Sequence, residues 1–125
     1  MSTRGVCAGF SAVVLAGLAG CASGVPSVAP FAGADTGRAP SLIDRYGCGS
    51  CHSIEGVRGA DGLVGPSLTR FGERRTIAGR LPNTPQNLAR WLRDPQGVKP
   101  GDVMPDVGLS AREARDIAAF LDASR

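Results

Sequence analysis

The chain has 125 residues, with 14 basic against 11 acidic side chains, one histidine, four cysteines and a formal net charge of +3. That length allows one modest domain with appendages rather than several domains. Few aromatics and a sole lysine, Lys99, argue against nucleic-acid binding, and one histidine excludes any site that needs two.

Residues 1–20 read as an export signal. Arg4 supplies the positive start, and Val6 to Leu18 is a short apolar run studded with glycine and alanine. A membrane-spanning helix needs about 20 apolar residues with anchoring flanks, and this run is too short and too glycine-rich. Leu18-Ala19-Gly20-Cys21 directly follows it and resembles the bacterial lipobox, in which cleavage leaves the cysteine first and lipidated. The alternative is an ordinary signal peptide cut nearby. Several acyl chains on Cys21 would hold the protein to a cell membrane far better than one. From Ala22 to Ala39 the chain is rich in Ala, Gly, Pro and Ser and reads as a flexible tether. Its root-mean-square span is about 20–25 Å. The folded domain is expected over residues 40–125.

Pro40 to Tyr46 is a short helical signal with Leu42, Ile43 and Tyr46 on one face, ended by Gly47. It delivers Cys48-Gly49-Ser50-Cys51-His52, which is C-x-x-C-H, the attachment signature of c-type haem. Cys48 and Cys51 can each add to one vinyl group of a single haem. The next residue, His52, then places its imidazole under the iron as an axial ligand. A thioredoxin-like pair would follow a strand, and no β-branched run precedes Cys48. A structural zinc site needs four ligands, and Cys7 and Cys21 fall in the targeting segment. A plain disulfide gives no reason for the adjacent histidine. The cofactor reading is therefore one covalent haem c.

Ser53 to Pro66 is glycine-rich and aperiodic, a loop long enough that it must wrap something. Thr84 and Pro85 are an N-cap and a first-turn proline for a helix that carries Leu88, Trp91 and Leu92 on one face and stops at Asp94-Pro95. Trp91 is first a packing residue against the haem, and its indole could also donate to a propionate. Met104 sits in a Gly/Pro-punctuated loop and is the chain's one methionine besides the initiator. That makes it the candidate second axial ligand. A His/Lys site using Lys99, or a five-coordinate iron, is the alternative. Ser110-Ala111-Arg112-Glu113 is a capping box, and the helix after it carries Ala114, Ile117, Ala118 and Leu121 on one face. Leu68, Ile77, Leu81, Leu88, Trp91 and Val103 are expected to pack about the haem.

These stretches occur in the order Cys48-Gly49-Ser50-Cys51-His52, Gly65-Pro66-Ser67-Leu68, Asn83 to Leu88, Trp91 to Pro95 and Met104-Pro105. Together they closely resemble class I cytochromes c, and most nearly the cytochrome c domain fused to subunit II of some haem-copper oxidases. The resemblance covers roughly Pro40 to Arg125. It implies an all-α class I cytochrome c fold, three to four helices wrapped around one covalent haem. It also implies that the Pro66 carbonyl accepts from the second nitrogen of His52, and that Arg74 or Arg75 pairs a haem propionate. One departure is Ile43, where the family often has an aromatic about five residues before the first cysteine.

With both axial positions filled by protein, neither oxygen nor substrate has a place on the iron, which points to an electron carrier rather than an enzyme. The expected role is a membrane-tethered carrier in a respiratory chain, on the periplasmic or extracytoplasmic side. Its donor would be a quinol-oxidising complex and its acceptor a haem-copper oxidase. The alternatives are a fixed subunit of an oxidase or periplasmic dehydrogenase complex, and a haem-based catalyst or gas sensor. Arg70, Arg74, Arg75, Arg80, Arg90, Arg93 and Lys99 crowd the middle of the chain, either as a solvated surface or to steer acidic partners.

Overall fold

Capping decides where the helices begin. In the computed structural model, which describes residues 31–125, α2 (Pro85–Arg93) starts where Thr84 Oγ1 accepts from the Asn87 amide at 3.3 Å. Pro85 at the first turn has no N–H to leave unpaired. Helix α4 (Ala111–Ala123) opens on a complete capping box. Ser110 Oγ accepts from the Glu113 amide, and Glu113 Oε2 accepts from the Ser110 amide at 3.0 Å. Helix α1 (Ala39–Arg45) carries proline in its first turn and is followed by Gly47 at φ 68°. That left-handed conformation suits glycine. A one-turn helix, α3 (Pro95–Val98), follows α2 directly, because the Asp94 carboxylate accepts from the Gly97 amide at 2.7 Å.

The helices meet on α4. Its alanines let the others come close: Ala114 and Ala118 are fully buried, with Ile117 and Leu121 beside them. Leu42 and Ile43 of α1 and Leu88, Trp91 and Leu92 of α2 complete the core. Each fully buried large aliphatic contributes about 1.5–3 kcal/mol. Ile43 is 1% exposed, so an aliphatic fills the inward position of α1. Tyr46, three residues on, donates its hydroxyl to Glu113 Oε2 at 3.1 Å and fastens the end of α1 to the start of α4. That bond, with the Ser110 hydroxyl and amide, keeps the Glu113 carboxyl below the ordinary carboxylate range; Ser110 is the larger cause.

The remaining elements are small. A single 3₁₀ turn, Phe71–Glu73, lies on the C-terminal end of α4, where the Gly72 amide donates to Ser124 O at 3.0 Å. A Cβ on Gly72 would stand 2.0 Å from Asp122 O, so this approach needs glycine. β1 (Thr76–Ile77) and β2 (Leu81–Pro82) form one antiparallel rung, with Ile77 opposite Leu81. Among the described residues no helix is long and apolar enough to cross a membrane.

One sequence expectation differs from this structure. The tether was expected to run to Ala39, but the chain is already packed from Phe31. Thr36–Arg38 forms a 3₁₀ turn capped by Asp35, and Ala39 is fully buried. The cause is Asp116 on α4, a fully buried carboxylate. It accepts from the Asp35 amide at 2.8 Å and pairs with Arg38 at 3.2 Å. A buried charge requires such partners, and this one draws the upstream segment onto the domain. The signal peptide, Cys21 and the tether before Phe31 lie outside the described residues.

Candidate functional site

Cys48–Ser50 is a 3₁₀ turn that Gly47 launches from the end of α1. The Cys51 and His52 amides both donate to Cys48 O, at 3.2 and 3.0 Å, which curls both thiols and the imidazole onto one turn of backbone. Both cysteines are half-buried free thiols, and burial pushes the Cys48 thiol up from its ordinary range.

The loop from Ser53 to Pro66 closes back on that turn. The Gly62 amide donates to Gly49 O at 3.0 Å, the Gly65 amide to Cys51 O at 2.7 Å, and the Leu68 amide to Ser53 O at 2.8 Å. Such close passage excludes side chains. A Cβ on Gly49 would come within 2.7 Å of Ala60, and one on Gly62 within 2.5 Å of Ser50. A Cβ on Gly65 would stand 2.4 Å from the His52 ring. The loop ends by setting Pro66 O 2.7 Å from His52 Nδ1. A carbonyl can only accept, so this contact places the ring proton on Nδ1 and leaves Nε2 with its lone pair.

Met104 is half-buried and held by a different device. Gln96 Nε2 donates to both Asp102 O and Met104 O, at 2.8 and 2.9 Å, while Gln96 Oε1 accepts from the Gly101 amide. Asp102 Oδ1 accepts from the Met104 amide at 3.0 Å, and its other oxygen pairs with Lys99 at 2.8 Å. The Lys99 ammonium and the Met104 amide hold the Asp102 carboxyl below the usual carboxylate range. Lys99, the alternative ligand, is thus committed to Asp102. Sequence reasoning missed Gln96 and Asp102. Neither residue type announces such a role, and their only signal is a position within one turn-rich loop.

The other residues expected around the haem fall into separate places. Trp91 is buried on α2 at 8% exposure. Arg74 donates to Ser67 O and lies over the Phe71 ring, 5.2 Å from its centroid, so its guanidinium is already engaged. Arg75 is exposed and unpaired among the described residues. Asn83, also missed, fixes this segment by donating from Nδ2 to Phe71 O and Arg74 O.

The set can be tested against haem by its chemistry. Leu63, Val64 and Val103 are the large hydrophobics that stand exposed among the described residues, at 89, 79 and 90%. They adjoin Gly65-Pro66 and Met104 in sequence, so apolar surface flanks both candidate ligands. Exposed apolar side chains concentrated there want an apolar body to cover them. Two free thiols, an imidazole with a free Nε2 lone pair, and a thioether supply the bonds such a body would need to be haem. The residues present fit the group.

Comparison with known proteins agrees. The Cytochrome c family model matches residues 38–124. The chain is 44% identical over 81 residues to cytochrome c oxidase subunit 2 of Alkalihalophilus pseudofirmus, covering 64% of this chain and 23% of that protein. It is 37% identical over 65 residues to the subunit 2 of Bacillus subtilis, covering 50% and 18%. Cytochrome c2 iso-2 of Magnetospirillum fulvum is 36% identical over 86 residues, covering 59% of this chain and 84% of that protein. The chain thus spans less than a quarter of the oxidase subunits it matches. No solved structure gives a significant match. With attachment turn, wrapping loop and helical frame in place, the chain belongs to the cytochrome c family, as a class I c-type cytochrome that transfers electrons with covalently bound haem.

Proposed function

We propose that this protein is a membrane-tethered, monohaem electron carrier that works outside the cytoplasm, delivering single electrons to a terminal oxidase. Cys48 and Cys51 hold the haem, and His52 Nε2 and the Met104 thioether ligate its iron. When bound, haem supplies the one-electron couple of its iron. The chain's own residues do the rest. Pro66 O orients the imidazole and strengthens it as a donor by holding its second proton. Gln96 and Asp102 hold Met104 so that its soft, neutral sulfur is presented without reorganisation, and such a ligand favours the reduced state relative to a second imidazole. Filling both positions excludes oxygen and substrate. Arg75, free of other partners among the described residues, is the one of the arginine pair left to meet a propionate. Trp91 packs beside the haem.

The observation that supports this reading most directly is the 2.7 Å contact between His52 Nδ1 and Pro66 O, which orients the ring and leaves Nε2 available as a ligand. The test is the visible spectrum of the purified oxidised protein. A weak far-red band from iron–thioether bonding is expected, and it should vanish in Met104→Ala. Carbon monoxide binding at neutral pH with no such band would support a catalyst or sensor instead.

A second reading, a fixed oxidase subunit, is favoured by the 44% identity to an oxidase subunit 2. Coverage of 84% of a cytochrome c2 favours the carrier. Stoichiometric co-migration with a larger enzyme after mild detergent extraction selects the subunit. Lipidation of Cys21 is read from its lipobox alone, and mass spectrometry of the mature N-terminal peptide tests it.

A further inference from the structure

Helices α2 and α4 leave a groove of about 620 Å³ between Phe31, Ala89, Arg90, Arg93 and Arg115, with Asp94 at its edge. None of Cys48, Cys51, His52 or Met104 lines it. By helical register Arg90 and Arg93 are i, i+3 neighbours on α2, with Arg93 nearly opposite Trp91 and Arg90 to one side of it. All three arginines are exposed, and none has an ion-pair partner among the described residues. The neighbouring acids are spent elsewhere. Asp94 caps α3, Glu113 closes the capping box and accepts from Tyr46, and Asp116 is buried against Arg38 and the Asp35 amide. The groove is therefore a positive concavity with an apolar floor.

The described chain begins at Phe31, inside this groove. Cys21 is ten residues upstream, so an anchor there could lie at most about 36 Å away. We infer that this groove docks on anionic phospholipid headgroups, laying the α2–α4 face on the membrane. The inference extends the tethered-carrier reading, which brings the groove to the bilayer. Arginine forks suit phosphate oxygens, and each arginine near an anionic surface strengthens association about fivefold.

The full-length mature haem protein is bound to stacked, oriented bilayers and its haem linear dichroism is measured. One set of bilayers is phosphatidylcholine alone; the other contains about one-third phosphatidylglycerol. Dichroism is expected with phosphatidylglycerol, where a docked face fixes the haem plane, and none is expected on phosphatidylcholine, where the domain tumbles. Arg90→Glu/Arg93→Glu should abolish the signal, and Arg58→Glu/Arg80→Glu, with the same charge change elsewhere, should keep it. Equal dichroism on both bilayers, or an undiminished signal in the Arg90/Arg93 variant, overturns the inference. So does a lipid-independent protein whose Arg90/Arg93 variant instead loses its rate of electron delivery to an oxidase, which would make the groove a protein site. If the anchor reading alone is wrong, haem colour washes off phosphatidylcholine but stays, ordered, on phosphatidylglycerol. A colourless polypeptide is judged by the same charge dependence in co-sedimentation with vesicles of the two compositions.

Discussion

Around His52 the chain is pinned by its own backbone, whereas around Met104 it is pinned by side chains. On the histidine side, amide-to-carbonyl bonds from Gly62, Gly65 and Leu68 close the loop, and glycine at 49, 62 and 65 lets strands of chain pass almost in contact. No charged side chain takes part in those bonds. On the methionine side, Gln96 grips three backbone groups and Asp102 a fourth, with Lys99 bonded to Asp102 from outside. A backbone clamp has few parts that one mutation can delete, but it tolerates no added volume. A side-chain clamp tolerates volume, and one substitution empties it. The two loops should therefore fail in different ways.

Removing what both loops enclose has the largest effect. Cys48→Ala/Cys51→Ala, lacking covalent haem, should be largely unfolded by far-ultraviolet circular dichroism, because so small a core needs a staple. A cooperative melt with native-like helix signal would show that the two clamps stand without haem. Next is Gly65→Ala, which drives a methyl into the His52 ring. A loss of about 2–3 kcal/mol in denaturant unfolding, or failure to mature, is expected, and a wild-type melt would mean that the loop relaxes freely. Gln96→Ala should cost about 1–2 kcal/mol and weaken the far-red band while leaving the covalent haem spectrum in place. Equal damage to both features would erase the distinction between the loops. The smallest effect lies behind both of them, at Glu113. Its carboxyl is held low in the folded state, so its stabilisation is complete above the ordinary carboxylate range and is lost as pH falls through the depressed value. Glu113→Gln should flatten that part of an acid melting profile, and an unchanged slope would remove Glu113 from the account.

The sequence carried most of the frame because its signals are local. Thr84-Pro85 and Ser110 with Glu113 mark helix starts by chemistry that needs no partner from elsewhere. Gly47 marks a stop in the same way. What stayed hidden depends on distant partners. Nothing in the Ala/Gly-rich stretch before Pro40 foretells burial, because the group that recruits it, Asp116, lies 81 residues away from Asp35. Gln96 resembles any solvated glutamine until the Met104 loop folds over it. Spacing pointed to the thiols and the imidazole, and the methionine count to the thioether, but neither pointed to the side chains that steady these loops.

The Asp116 anchorage has a mechanical corollary. A force arriving along the chain from its N-terminal side passes the packed Phe31 and then reaches the Asp35 amide and the Arg38 guanidinium, and both hand the load to the middle of α4. The strain is relieved into the longest helix of the domain, upstream of α1 and of the turn that bears the thiols. A pull from the N-terminal side would then leave the loops around His52 and Met104 slack.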